Sequence, residues 1–163
     1  MISIKKYSLL ISTILLLTFN NAIVHASTYI TDSAHTSIGF NVKYLMITDV
    51  FGQFKTYDAK VEIDETTKEL IGVEADIKVA SLTTENTKRD GHLKSPDFFH
   101  TENFPTATFV IKSHSDAGVV GDLTVRGKTN EETITDVTTT TDENGNIIAT
   151  GNLTFDRQKY DVA

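Results

Sequence analysis

The sequence predicts an all-β domain built from antiparallel strands. From residue 37 onward, most segments alternate apolar and polar residues with a period of two, which is typical of strands with one buried and one solvated face. The alternation is clearly interrupted over residues 82–105. With 163 residues, of which 39% are hydrophobic and 23% charged, the chain has the composition of one globular domain.

Three strands are predicted before the interruption, at residues 37–44, 57–64 and 71–79. The apolar face of the first strand is formed by alternate residues, namely Ile38, Phe40, Val42 and Tyr44. Because the linker at residues 65–69 is short, the second and third strands are expected to form an antiparallel hairpin.

The interruption predicts a short helical insert between the third and fourth long strands. Residues 84–93 could form about two helical turns. Ser95 and Pro96 suit the N-cap and first position of a second short helix through Phe99. Since Phe98, Phe99 and Phe104 give the insert an apolar side, we expect it to pack against the sheet.

Four further strands are predicted after the insert, at residues 107–112, 121–126, 131–140 and 147–155. The register of the Thr-rich third strand stays open, because Ile134 and Val137 do not share a face. An Asn144-Gly145 turn signal separates it from the last strand.

Seven strands with one helical insert leave two architectures, a two-sheet sandwich and a closed barrel. Small residues on the apolar faces would leave room for a cavity inside a barrel. These residues are Ala59, Ala75, Ala107, Gly121, Ala149 and Gly151. A tapered, filled core would produce some of the same pattern, so both a cavity and a solid interior stay open.

The first 26 residues predict a secretory signal peptide. Lys5 and Lys6 precede an apolar run at residues 9–19, and Ala26 ends a small-residue cleavage site. A bilayer span needs about 20 apolar residues, which makes a retained N-terminal anchor the weaker alternative. We therefore expect cleavage after Ala26 and a periplasmic or secreted domain at residues 27–163.

Charge and composition exclude several function classes. A net charge of −7 argues against nucleic acid as a partner. The absence of Cys excludes disulfides, Cys-ligated zinc and a Cys nucleophile. The histidines lack zinc-helix spacing, and neither a G-x-S-x-G elbow nor a P-loop is present. We expect no metal, no cofactor and no enzyme activity. The alternative is an exported hydrolase, in which His35 or His92 would activate Ser81 or Ser95.

A polar cluster at residues 84–92 is the densest group of candidate ligand contacts. An Arg89 guanidinium beside His92 could hold an anionic or amide head group, since it presents a planar fork of donors. The alternative is structural: Arg89 and Asp90 would hold the insert in place through ion pairs and backbone hydrogen bonds.

The run from Arg89 to Phe99, RDGHLKSPDFF, is specific, and the sequence around it resembles the YceI-like family of exported polyisoprenoid-binding proteins. Matching segments extend along nearly the whole mature chain, at residues 32–40, 52–54, 89–99, 104–105, 121–127 and 155–157. The resemblance implies an extended, antiparallel, lipocalin-like β-barrel around a long apolar tunnel. Its implied ligand is a polyisoprenoid, an isoprenoid quinone or a related fatty amphiphile.

With that resemblance, the expected function is transport or storage of a lipid, with transient membrane contact. The tunnel-wall candidates are Phe40, Val42, Tyr44, Phe54, Phe98, Phe99, Phe109, Leu123, Val125, Leu153 and Phe155. The head-group candidates are Asn86, Arg89, Asp90 and His92. A ligand-free structural or interaction domain with a filled interior is the other alternative.

The chain departs from the family pattern at several positions. Tyr44 stands where the family usually has His, Asp161 replaces a usual Gly, and Asp136 lies where a strand should be apolar. The family also normally continues through another strand beyond the position of Ala163. We therefore expect either a C-terminally truncated fragment or a barrel that closes poorly or pairs with a second copy in a homodimer.

Overall fold

Antiparallel strands dominate the computed structural model of the chain, which describes residues 26–30, 35–44 and 48–163. The strands are β1 (Ala26–Ile30), β2 (Ile38–Tyr44), β3 (Thr48–Phe54), β4 (Tyr57–Asp64), β5 (Leu70–Lys78), β6 (Leu82–Thr83), β7 (Thr106–Ser115), β8 (Gly118–Val125), β9 (Lys128–Thr141) and β10 (Ile147–Leu153). The helices within these described ranges are α1 (Thr87–Lys94) and two 3₁₀ helices, Val79–Ser81 and Arg157–Tyr160.

The strands form two sheets. The larger has the order β1-β4-β5-β7-β8-β9-β10, and the smaller has the order β2-β3-β6. The large sheet curls into a half-barrel, which confirms the predicted all-β, lipocalin-like class. The predicted hairpin is also confirmed, since β4 pairs antiparallel with β5 from Tyr57 opposite Ile77 onward.

The strand β3 was not predicted, because two of its residues break the alternation. Phe51 is largely exposed, while Gly52 occupies the face that Phe40 covers. Gly52 lies directly opposite Phe40, and a Cβ atom on Gly52 would stand 2.2 Å from the Phe40 ring. The aromatic ring thus replaces the missing side chain on the apolar face.

The insert contains one helix instead of two. The side chain of Asn86 caps α1 by accepting a 3.1 Å hydrogen bond from the Arg89 amide. The prediction of a second helix at residues 95–99 is wrong. The Phe99 amide bonds back to Leu93 O, and the His100 amide bonds to Ser95 O, so this segment folds against the end of α1 as turns. None of the described helices is long and apolar enough to cross a membrane.

A bulge in β9 explains the register that the sequence left open. Asp136 has a positive φ of 52°, and the pairing of β9 with β10 shifts between Thr150 and Asn152. The shift allows Ile134 and Val137 both to pack against the core. Asp136 therefore interrupts the apolar pattern at the position where the strand bends.

The last strand differs from its prediction as well. Ala149 and Gly151 were expected on a buried face, but both are exposed. Within the described part of the chain, β10 pairs only with β9, so one of its edges has no neighbouring strand. The same edge position explains why β10 has no residue in the buried core.

The core lies on the concave face of the half-barrel. Its buried residues are Val79, Leu82, Ala107, Phe109, Val119, Leu123, Val125, Tyr160 and Val162. Phe40 and Phe54 from the small sheet and Leu93 from α1 pack against them. Of the two interiors that the sequence left open, the structure has the filled one at Gly121, because a Cβ atom there would stand 2.5 Å from the Phe109 ring.

We predict that Gly121→Ala lowers the free energy of unfolding by about 1–3 kcal/mol, because the added methyl group overlaps Phe109 and the Val110 carbonyl. The matched control is Gly91→Ala in α1, where a methyl group meets no atom within 4 Å. The free energy of unfolding of this control should rise by about 0.5–1 kcal/mol, since Ala is the better helix former. Urea unfolding measures both; equal stabilities of the two variants would contradict the packing described here.

Candidate binding site on the concave face

One row of side chains crosses the concave face of the large sheet. Tyr29 on β1 lies opposite Val61 on β4, and Val61 lies opposite Val73 on β5. Farther along the sheet, Ile111 on β7 lies opposite Gly121 on β8, which lies opposite Glu132 on β9. Because directly opposed residues point to the same side of an antiparallel sheet, these residues share the concave face.

The side chains on this face are buried near the insert and only half-buried farther from it. Where β7 and β8 approach the insert, Ala107, Phe109, Leu123 and Val125 are buried and interlocked. Along the row from Tyr29, the side chains of Val61, Val73 and Ile111 are only half-buried, and Tyr29 is 39% exposed. The apolar surface therefore continues beyond the filled core to residues that remain open to solvent. A half-buried apolar surface that extends beyond the core in this way is a candidate binding site.

The tunnel-wall candidates lie in three settings. Phe109, Leu123 and Val125 belong to the filled core. A second, half-buried group packs around it and comprises Phe40, Phe54, Phe98, Phe99 and Leu153. Two residues are more exposed: Val42 at 41%, and Phe155, which lies beyond the end of β10 with its ring against Tyr160. Tyr44 ends β2, but its side chain is outside the described part of the structure.

Two of the four head-group candidates, Arg89 and Asp90, meet at Thr84, and a third, Asn86, bonds to the Arg89 amide. Asp90 accepts hydrogen bonds from the Thr84 amide at 2.8 Å and the Thr84 hydroxyl at 2.6 Å. Arg89 donates to the same hydroxyl at 2.7 Å and to the Thr84 carbonyl at 2.8 Å, while Asn86 caps the helix. These bonds fix the insert to β6, as the structural interpretation of the cluster expected.

His92, the fourth head-group candidate, lies apart from this network. Its side chain is 62% exposed, with Nε2 3.4 Å from the Asp97 carboxylate and the ring edge-on to Phe98. The hydroxyl of Ser95 has no hydrogen-bond partner, so His92 does not activate it. Ser81 donates to Lys78 O at 2.6 Å and accepts from two backbone amides, which is a structural arrangement.

Glu132 and Tyr160 were not among the site residues predicted from the sequence. Tyr160 is fully buried in the core, and its hydroxyl donates a 3.0 Å hydrogen bond to Glu132 Oε1 on the concave face. Burial raises the pKa of the Tyr160 hydroxyl far above its usual range, and the Glu132 carboxylate acts in the same direction. A signal existed in the sequence: Glu132 and Ile134 are two residues apart, which places both side chains on the same face of a strand.

The opposite face of the sheet is charged. Two surface depressions of about 270 and 340 Å³ are both lined by Lys60 and Glu74. The smaller of the two is also lined by Val73 and Ile111, so it adjoins the apolar row. No group of three or more His, Asp or Glu side chains in the described ranges could hold a metal ion.

Comparison with known proteins gives a family match. A model of the YceI-like domain matches residues 29–163. The UPF0312 proteins of Staphylococcus aureus strains USA300 and MRSA252 are 48% and 47% identical to this chain over 102 residues. These matches cover 63% of this chain and 60% of the length of each relative.

Solved structures show the same fold. The crystal structure of Burkholderia cenocepacia BcnA has a TM-score of 0.72 at 26% identity, covering 80% of this chain and 84% of that one. A Campylobacter jejuni YceI protein that crystallizes with large solvent channels has a TM-score of 0.59 at 31% identity. It covers 82% of this chain and 84% of that one.

We predict that Asp90→Asn destabilises the protein by about 1–3 kcal/mol at neutral pH, because the charged acceptor of the Thr84 hydrogen bonds is lost. Burial alone would raise the pKa of Asp90, but the hydrogen bonds from Thr84 and Thr83 more than offset it, so the pKa lies below 3.8. The ionised carboxylate therefore stabilises the fold above its unfolded pKa, and this contribution is lost as the pH falls through the folded pKa.

Urea unfolding between pH 7 and pH 2 measures this effect. Asp90→Asn should lose less stability on acidification than the wild type. Asp97→Asn is the control, since that side chain is 73% exposed. Parallel pH profiles for the wild type and Asp90→Asn would show that Asp90 does not hold the insert as described.

Proposed function

This chain belongs to the YceI-like family of barrel-like binding proteins, and we propose that it holds one long-chain isoprenoid or related amphiphilic lipid. The lipid tail would lie along the concave face of the half-barrel. In this proposal the protein is exported and serves to store a lipid or carry it between membranes.

The half-buried apolar row supports the proposal most directly. Val61, Val73 and Ile111 lie on the face that is buried elsewhere, yet the protein's own side chains cover them only in part. Covering such residues with a hydrocarbon chain is favourable by roughly 25 cal/mol for each Å² of apolar surface removed from water. A lipid tail matches this surface because it is apolar and needs no hydrogen-bond partner.

Exchange with a membrane would be nearly balanced under this proposal. Burying a hydrocarbon tail yields about 0.8 kcal/mol per CH₂ relative to water, so a polyprenyl tail would nominally exceed the practical limit of about 20 kcal/mol for non-covalent binding. The alternative site for the tail is a bilayer, which is equally apolar. Transfer between the two therefore has a small driving force, as a carrier or a reservoir requires.

We predict that Ile111→Asn weakens binding of a long-chain fluorescent lipid probe at least tenfold, because it places an amide on the proposed tail surface. Val110→Asn is the matched control: Val110 is the preceding residue of β7, is 47% exposed and faces the opposite side of the sheet. The Val110→Asn variant should bind the lipid probe as tightly as the wild type does.

Probe titration and thermal unfolding should be run on both variants, with Ile111→Ala as a milder change on the same face. Equal probe affinity for the two Asn variants would reject the concave face as the binding surface. A wild-type protein that binds no long-chain probe would instead support a ligand-free structural domain, for which the filled core around Phe109 is the relevant observation.

A further inference from the structure

Glu132 is an acidic side chain on an otherwise largely apolar part of the concave face. It lies directly opposite Gly121, which in turn lies opposite Ile111 of the half-buried row. Two strand spacings separate Ile111 from Glu132, which is about 10 Å. The ring of Phe109 occupies the space above Gly121 between them. Glu132 itself is only partly buried and lies across the Phe109 ring from Ile111.

Tyr160 holds this carboxylate in place. The fully buried Tyr160 hydroxyl donates to Glu132 Oε1 at 3.0 Å. A carboxylate offers about four lone-pair positions, so one donated bond from Tyr160 leaves acceptor capacity on Glu132. The hydroxyl, by contrast, is already engaged as a donor.

The segment that carries Tyr160 is itself fixed. Arg126 donates to Asp161 O, to Phe98 O at 2.8 Å and to Pro96 O at 2.8 Å. Lys128 makes an ion pair with the Asp161 carboxylate at 2.6 Å. These contacts fix the Tyr160–Glu132 pair against the insert, and a preorganised acceptor binds a donor without the entropy loss of ordering a mobile side chain.

We propose that Glu132 accepts a hydrogen bond from the head group of the bound lipid. The site then selects a hydroxyl or amide head over a carboxylate or phosphate head. The reason is physical: an ionised acceptor makes strong hydrogen bonds to N–H and O–H donors and repels anions, most strongly where water is excluded. This inference rests on the proposed lipid-binding function. Of the two redox forms of an isoprenoid quinone, only the quinol carries the donor that Glu132 requires.

The test compares ligands of one chain length: hexadecanol, palmitamide and palmitic acid, each displacing a fluorescent lipid probe at neutral pH. The wild type should bind the alcohol and the amide at least tenfold more tightly than the acid. Glu132→Gln should reduce this ratio to near one, because Gln keeps an acceptor for Tyr160 but removes the charge. Glu131→Gln is the control, since Glu131 is the adjacent residue, faces the opposite side and pairs with Lys112.

The outcomes separate this inference from the function on which it rests. If the wild type binds all three ligands equally, or if Glu132→Gln retains the wild-type ratio, the head-group assignment is overturned while lipid binding stands. If the wild type binds none of the three, lipid binding itself fails. The wild-type ratio needs no variant, so the inference stays testable even where Glu132→Gln does not fold.

Discussion

The structure depends on keeping the apolar face of one curved sheet away from water. Each strand of the half-barrel contributes alternate side chains to that face, and the hydrophobic effect favours their burial by roughly 25 cal/mol per Å². Within the described residues, the protein covers this face at one end only. There, the small sheet, the insert and the C-terminal 3₁₀ helix bury Phe109, Leu123 and Val125. At the other end, Val61 and Val73 remain half-buried. We propose that a ligand covers the half-buried side chains at the other end.

Arg126 links the elements that provide this cover. It stands in the two-residue turn between β8 and β9, where it and Gly127 both have positive φ, as a tight hairpin of this length requires. From that turn its guanidinium reaches the carbonyls of Pro96, Phe98 and Asp161. One side chain thus joins the hairpin, the insert and the C-terminal segment, which explains why the filled part of the core lies beside it.

Much of the fold could be predicted from alternation, but the site could be predicted only in part. The strand from Tyr57 to Asp64 and its partner alternate clearly, and the structure pairs them as expected. The strand containing Gly52 could not be recognised, because its apolar face is completed by a ring from Phe40. The bulge at Asp136 was equally hidden, since a single positive φ has no periodic signal. The Arg89–Asp90 cluster attracted attention through its charges, whereas Glu132 gains its importance from a distant residue, Tyr160, which only the folded chain brings near.

The most direct measurement is mass spectrometry of a solvent extract from the protein purified, without detergent, from the cells that make it. We expect about one long-chain amphiphile per chain, carrying a hydroxyl or amide head, because we propose that a hydrocarbon tail covers the open end of the apolar face. An extract free of such lipids, from a protein that is folded and stable, would contradict lipid binding on the concave face. The half-buried apolar row would then belong to a structural domain and not to a lipid-binding protein.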